Sequence, residues 1–348
     1  MAALVSWFWS EKFWFPHGLS WENLKNQENS DVRLPQLNDM HWSIVVGVVF
    51  LVVRYLYEKL VVIPVGRYFG VKERRRAKVV PNIILEAAYQ KYGLTVNDSV
   101  KALVKQTDMS KREVEKWFLH RRQQDIPDSM QKFRECSWHF TFYLSSFIAG
   151  IVILWDKPWF WETKYCWKGW PLLNVTMDIH LYYLIELGFY WCLVFTLITD
   201  HKRKDFVEMV VHHIVTILLI YFSWTINFIH IGTLVLLVHD AADYWMAAAK
   251  MAHYCKMHKL CEGFFVMFCI VWIISRLGIY PARVLYTTTF EVYEYIDRFH
   301  AYTLFNGLLY ILQLLHIIWT FMIARIALRK VIKGDMKDVR SDTESETD

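Results

Sequence analysis

Two adjacent histidines, His212-His213, and the run His239-Asp240-Ala-Ala-Asp243 stand inside apolar stretches of this chain. An ionisable side chain at the centre of a bilayer costs roughly 2.5–3.5 kcal/mol on insertion scales, so residues of this kind are functional candidates by default. An imidazole can take a proton near neutral pH or attack a carbonyl itself. A carboxylate beside it can orient the ring, fix its tautomer and stabilise its cation. Catalysis competes here with a polar clasp between helices, a metal site and a proton path. A clasp accounts for one His–Asp pair but not for two neighbouring His, which point about 100° apart on a helix. A metal site of the membrane di-iron kind needs several H-x-x-H-H clusters, and one bare His-His occurs. His212, His213, Asp240 and Asp243 are the catalytic candidates, with the clasp, a metal site and a proton path standing as the alternatives.

The elements that hold them follow from composition. The chain has 348 residues, 55% hydrophobic, 17% aromatic and 21% charged, with a mean hydropathy of +0.19. That balance excludes a disordered chain, a collagen and a small disulfide scaffold. The six Cys form no C-x-x-C and lie in or beside apolar runs, as small buried hydrophobes do. Seven windows are long and apolar enough to span a bilayer: 42–63, 137–155, 179–199, 207–226, 231–249, 263–285 and 301–325. The expected fold is all-α, a polytopic membrane bundle. The first window is the weakest, since Arg54, Glu58 and Lys59 interrupt it.

Basic residues follow each odd-numbered window: Lys72–Lys78, Lys202–Lys204, Lys250–Lys259 and Arg325–Lys333. The positive-inside rule makes those four segments cytosolic, with the N-terminus lumenal and the tail cytosolic. Windows four and five are joined by a few residues around Asn227 and form an antiparallel hairpin, which puts the His pair and the two Asp at one depth. At 1.5 Å per residue, His212 lies roughly 9 Å in from Phe206 and Asp243 roughly 10 Å in from Lys250, in the cytosolic half of the membrane. Asp240 and Asp243, at i and i+3, share a helix face.

The chain divides into an N-terminal interfacial segment (1–41), the first spanning helix (42–63), a soluble island (67–130), a membrane domain (131–332) and a tail (333–348). The island ends in Lys111-Arg-Glu-Val-Glu-Lys-Trp117-Phe118-Leu-His120-Arg121-Arg122, which resembles the recognition helix of a homeodomain. His120 stands where that helix carries its adenine-reading Asn, so the expectation is a basic helical bundle without sequence-specific DNA binding. The tail is acidic and nearly free of apolar residues, an expected disordered end. Ser341, Thr343 and Ser345 each precede an acid by three residues, a pattern that acidophilic kinases favour. Asn174-Val175-Thr176 is a glycosylation sequon on the side read as lumenal.

Asp200-His-Lys-Arg-Lys-Asp205-Phe206, His212-His213, Gly232-Thr-Leu, His239-Asp240-Ala-Ala-Asp243 and Lys250-Met251 together resemble the longevity-assurance motif of ceramide synthases, polytopic TLC-domain enzymes of the endoplasmic reticulum. The resemblance takes in the Trp-rich start, Pro81-Asn82, Leu85-Glu86, Trp117-Phe118 and Val339-Arg340-Ser341-Asp342, nearly the whole chain. Ala247 stands where the motif usually has Glu, and His230 where it usually has Arg.

The resemblance implies transfer of an acyl group from fatty acyl-CoA to the amine of sphinganine or sphingosine, with acyl-CoA as co-substrate and no other cofactor. It gives His212 or His213 the part of general base or acyl carrier, and Asp240 and Asp243 that of orienting groups. Lys202, Arg203, Lys204 and Lys250 border the expected cytosolic mouth and could receive the CoA phosphates, although cytosolic loops are basic on topology alone. Glu186, Arg276, Asn306, Gln313 and His316 are further polar residues in the spans, for channel lining or helix clasping. The partners implied are the two substrates and membrane lipids, with a homo- or heterodimer also carried as an expectation. The competing functions are a lipid or proton transporter and a membrane-tethered DNA-binding protein.

Overall fold

The structure, a computed structural model, describes residues 2–26, 32–73, 79–92, 100–125, 128–197 and 205–333. All its regular elements are helices. Helix α1 (Leu37–Tyr57) continues through a π-helical turn (Glu58–Val62) into Ile63–Tyr68. Helices α2 (Ile83–Tyr92), α3 (Val100–Thr107) and α4 (Lys111–Asp125) form the island. The remaining long helices are α5 (Ser129–Leu154), α6 (Met177–Thr196), α7 (Phe206–Thr225), α8 (Ile229–Tyr254), α9 (His258–Trp272) and α10 (His300–Lys333). Helix α9 runs on through a π-helical stretch, Ile273–Leu285, into Tyr286–Thr289.

Five of these, α5, α6, α7, the extended α9 and α10, are long and apolar enough to cross a membrane. Helices α1 and α8 pack among them: α1 lies along α6, and α8 lies between α5 and α9. The fold is the polytopic helical membrane bundle expected from the hydropathy windows. Helix α5 begins earlier than its window because its first turn is polar, and Asp128 caps it by accepting from the Gln131 N–H at 2.6 Å.

The weakness of the first window has a local answer. Glu58 is 5% exposed, and it accepts from Arg54 Nε at 2.8 Å on its own helix and from Arg134 Nε at 2.8 Å on α5. A buried carboxylate is thereby paired twice and pins α1 to α5. Farther along, α1 and α6 approach through glycines. A Cβ on Gly47 would meet Trp191 Cβ at 2.8 Å, and one on Gly188 would meet Val46 Cβ at 2.8 Å. Backbones in a membrane come this close only at small residues.

Pro281 explains the π-helical stretch in α9. It lacks an N–H and cannot complete the regular ladder, so the helix widens around it. Arg276 sits in that widened segment.

The island has its own core of Leu85, Ala88, Leu103, Val114 and Trp117. The Trp117 indole N–H donates to the Val80 carbonyl at 2.7 Å, and Arg121 holds Glu86 at 2.9 Å. None of the six cysteines is in a disulfide. Lys202, Arg203, Lys204, Ser341, Thr343 and Ser345 lie outside the described residues.

Candidate active site

Helices α7 and α8 leave the short connection at Asn227, whose φ of 59° is left-handed. The Asn227 amide fastens that turn by donating to the Pro171 and Leu173 carbonyls at 2.8 and 2.7 Å. From there the helices diverge, because α8 packs chiefly on α5 and α9. The hairpin brings the His pair and the Asp residues to one depth but leaves space between them.

That space is a cavity of about 150 Å³, with His212, His213, Asp243, Arg276 and Trp319 in its wall. Lys250, Glu135 and Phe206 also line it; they stand near helix ends, which marks the mouth. Ala247 lines it too, so the motif's usual carboxylate is replaced there by a methyl group. The four residues expected to act together are divided. The His212 and His213 rings lie 5.6 Å apart, and neither Nδ1 has a hydrogen-bond partner among the described residues. Asp243 accepts from Arg276 Nη2 at 3.1 Å. Asp240, 1% exposed, lies behind the wall with Ser146 and Glu186, and the Ser146 hydroxyl also donates to the Glu186 carboxylate. Among the described residues no hydrogen bond or ion pair joins Asp240 to His212 or His213. The reason is the divergence of α7 and α8, which turns Asp240 toward α5 and α6.

A second polar layer, absent from the catalytic assignment made on sequence, backs the first. Arg276, 2% exposed, donates from Nη2 to the His239 carbonyl at 2.6 Å and from Nη1 to His316 Nε2 at 3.1 Å. A guanidinium only donates, so His316 Nε2 is an acceptor; His239 Nδ1 donates to the Val235 carbonyl at 2.6 Å, which leaves its Nε2, 3.2 Å from His316 Nε2, as a bare acceptor nitrogen in the neutral ring. The His239 ring stands 6.5 Å from that of His212. Among the described residues no group of three or more His, Cys, Asp or Glu side chains is placed to hold a metal ion.

Beyond His239 lies a narrow apolar cavity of about 50 Å³, lined by Tyr190, Leu219, Leu236, Leu309 and Leu312 among others, with Trp167, Phe228, Tyr302 and Phe305 also in its wall. The site is thus two chambers in contact: one with a charged mouth, one an apolar channel, with imidazoles between. His230 belongs to neither. It stacks on Trp159 at 3.5 Å, and its Nδ1 faces the Tyr165 carbonyl at 3.2 Å, within the aromatic segment beside the α7–α8 turn.

A buried imidazole pair between a charged mouth and an apolar channel, within a helical bundle, defines an integral-membrane enzyme of the TLC-domain class; residues 132–325 match the TLC domain family. Along its whole length the chain is 42% identical to human ceramide synthase 5, covering 89% of that protein. It is 37% identical to human ceramide synthase 4 over 99% of this chain and 87% of the relative. Against human ceramide synthase 3 it is 37% identical, over 97% and 88%. The chain belongs to the ceramide synthase family, and is a multi-pass membrane enzyme.

Proposed function

We propose that this chain transfers an acyl group from fatty acyl-CoA to the amine of sphinganine or a related sphingoid base, with His212 and His213 as the working imidazoles. The observation that carries this is their position. Two imidazoles with unpartnered Nδ1 atoms face a cavity that has a charged mouth, and an apolar channel begins behind them. The CoA head is polyanionic, so Lys250 at the mouth, with Lys202, Arg203 and Lys204, is assigned to its phosphates. The acyl chain enters the channel.

In direct attack the sphingoid ammonium first releases one proton to water; the amine bonds to the thioester carbon while one imidazole takes a second proton from its nitrogen, and the C–S bond breaks. The imidazolium then passes that proton to the CoA sulfur. In the two-step route the imidazole itself forms an acyl bond that the amine later opens. Asp243 acts through Arg276, and Asp240 with Glu186 braces α8 against α5 and α6.

The surrounding expectations join this reading. The protein resides in the endoplasmic reticulum with its N-terminus lumenal. Asn174, exposed and with its Oδ1 accepting from the Arg33 N–H at 2.9 Å, is a glycosylation candidate. Ser341, Thr343 and Ser345 are phosphorylation candidates in a cytosolic tail. The island is a structural bundle without sequence-specific DNA binding.

The test is to supply membranes containing the protein with sphinganine and a panel of acyl-CoAs and to weigh the products. (Dihydro)ceramide that depends on both substrates is expected. Its absence from membranes with folded protein would sink the reading.

A further inference from the structure

Acyl transfer from a thioester passes through a tetrahedral intermediate whose oxygen carries negative charge, and the site must hold a donor where that charge develops. Many acyltransferases use backbone N–H groups for this. Here they are spent: His212, His213 and His239 sit in the interiors of α7 and α8, where each N–H is engaged in the helical ladder. The donor must be a side chain.

Three donors stand beside the imidazoles. Arg276 has Nη1 on His316 and Nη2 on Asp243 and the His239 carbonyl; its Nε–H, without a partner among the described residues, is fixed with that fork in the backing layer and lines the mouth chamber rather than the apolar channel. The Trp319 ring meets His212 edge-to-face at 5.4 Å, and its N–H is buried without a partner. It lines the chamber with the charged mouth, where the CoA head and the amine arrive. Tyr190 is the third. Its ring packs against both imidazoles, with centroids 6.2 Å from His212 and 6.0 Å from His213. It lines the apolar channel, and its phenol makes no hydrogen bond among the described residues. The carbonyl of an acyl thioester is the first group of the acyl chain. Its oxygen therefore belongs at the channel end that abuts the histidines, which is where Tyr190 stands.

Resting on the acyl-transfer reading above, we propose that the Tyr190 phenol is the oxyanion donor of the reaction, a catalytic residue that neither the His-Asp motif nor its spacing reveals. As nitrogen bonds to the thioester carbon, the C=O π pair moves onto oxygen. Tyr190 donates a hydrogen bond to that oxygen and keeps its proton. When the pair returns, the C–S bond breaks and the departing sulfur takes its proton from the imidazolium. The same donor serves both steps of an acyl-imidazole route, because each passes through an oxyanion on the same acyl oxygen.

The test compares wild type, Tyr190→Phe and Trp319→Phe as full-length proteins in membranes, under saturating sphinganine and varied acyl-CoA. Tyr190→Phe keeps the ring packed on both imidazoles and removes only the O–H. Its kcat should fall about 10²-fold, the scale of a lost oxyanion donor, with KM for acyl-CoA nearly unchanged. Fluorinated tyrosines at position 190 should give a kcat that tracks phenol acidity, which a packing role would not. A Tyr190→Phe enzyme with kcat within threefold of wild type would overturn the proposal, as would a kcat loss carried by Trp319→Phe alone. If Tyr190→Phe melts early, the fluorotyrosine series decides, since those variants keep the hydroxyl; a kcat indifferent to acidity then counts against the donor role. Wild-type membranes with no acyl transfer at all would overturn the acyltransferase reading and this proposal together.

Discussion

The soluble island and the polar layer of the membrane bundle treat their polar side chains in opposite ways. In the island Trp117 reaches the Val80 carbonyl, Arg121 forks onto Glu86, and Ser110 and Glu113 cap α4 reciprocally. In the bundle, where a polar atom left alone costs more, His212 Nδ1, His213 Nδ1, His316 Nδ1 and Asp240 Oδ2 have no partner among the described residues. Each such buried group costs roughly 1–3 kcal/mol. The bare nitrogens of His212 and His213 belong to rings that line the cavity and are open to a substrate, whereas the island's satisfied network is what a structural module needs.

The largest effect expected from this contrast lies at the imidazoles. Replacing His212 or His213 by Ala should lower acyl transfer by about 10³-fold or more while the protein still inserts, measured as product per folded enzyme. Rapid quench with acyl-CoA and no sphingoid base then separates the two routes: acyl mass on one of these His supports the two-step path. Normal activity in both variants would return the cluster to a helix clasp and erase the contrast.

Next comes the backing layer. Arg276→Lys keeps the charge but cannot serve Asp243, His316 and the His239 carbonyl together, since the fork is lost. A drop in kcat of about tenfold is expected, with Arg276→Ala falling further and melting earlier, because the bonds to Asp243, His316 and the His239 carbonyl are all lost together. If Arg276→Ala kept both activity and melting temperature, the layer would be ornament to the site. In the island the same operation should be mild. The Arg121–Glu86 pair is partly exposed, at 23% and 34%, so Arg121→Ala should cost at most about 1 kcal/mol locally and leave transfer unchanged. Tight binding of the island to one particular duplex at physiological salt would instead assign Arg121 and its neighbours a functional role.

Much of this was legible along the chain because its signals are local. Hydropathy windows located the long helices, and the cost of burying charge singled out His212, His213, Asp240 and Asp243. The partners of those residues were not legible. Arg276 meets Asp243 from 33 residues away and His316 meets His239 from 77; nothing in the spacing of either pair foretells it. Asp240 was expected at an imidazole, yet lies with Glu186 and Ser146. The connection length set its depth, but helix packing set its direction. Tyr190 had no sequence signal, being one of 19 Tyr in a chain that is 17% aromatic. Its role is visible only when both imidazoles and the channel are seen together.

The smallest effect sits at the start of α4 and concerns pH. Ser110 N–H donates to the Glu113 carboxylate at 2.8 Å and its hydroxyl at 2.7 Å, while the Glu113 N–H donates back to that hydroxyl at 3.3 Å. These bonds from Ser110 hold the Glu113 carboxyl below its ordinary value. A carboxyl whose pKa is lower folded than unfolded contributes stability above the unfolded value and loses it as pH falls through the folded one. Amide exchange in α4 of the full-length protein should therefore quicken as pH drops below about 4.5, after correction for the intrinsic rate. Glu113→Gln should flatten that dependence, because the amide cannot ionise, while acyl transfer at neutral pH stays at the wild-type level. An unchanged exchange profile in Glu113→Gln would show that the cap contributes nothing to the island. A parallel fall in acyl transfer would show that the island and the catalytic layer are coupled, which their opposite treatment of polar groups argues against.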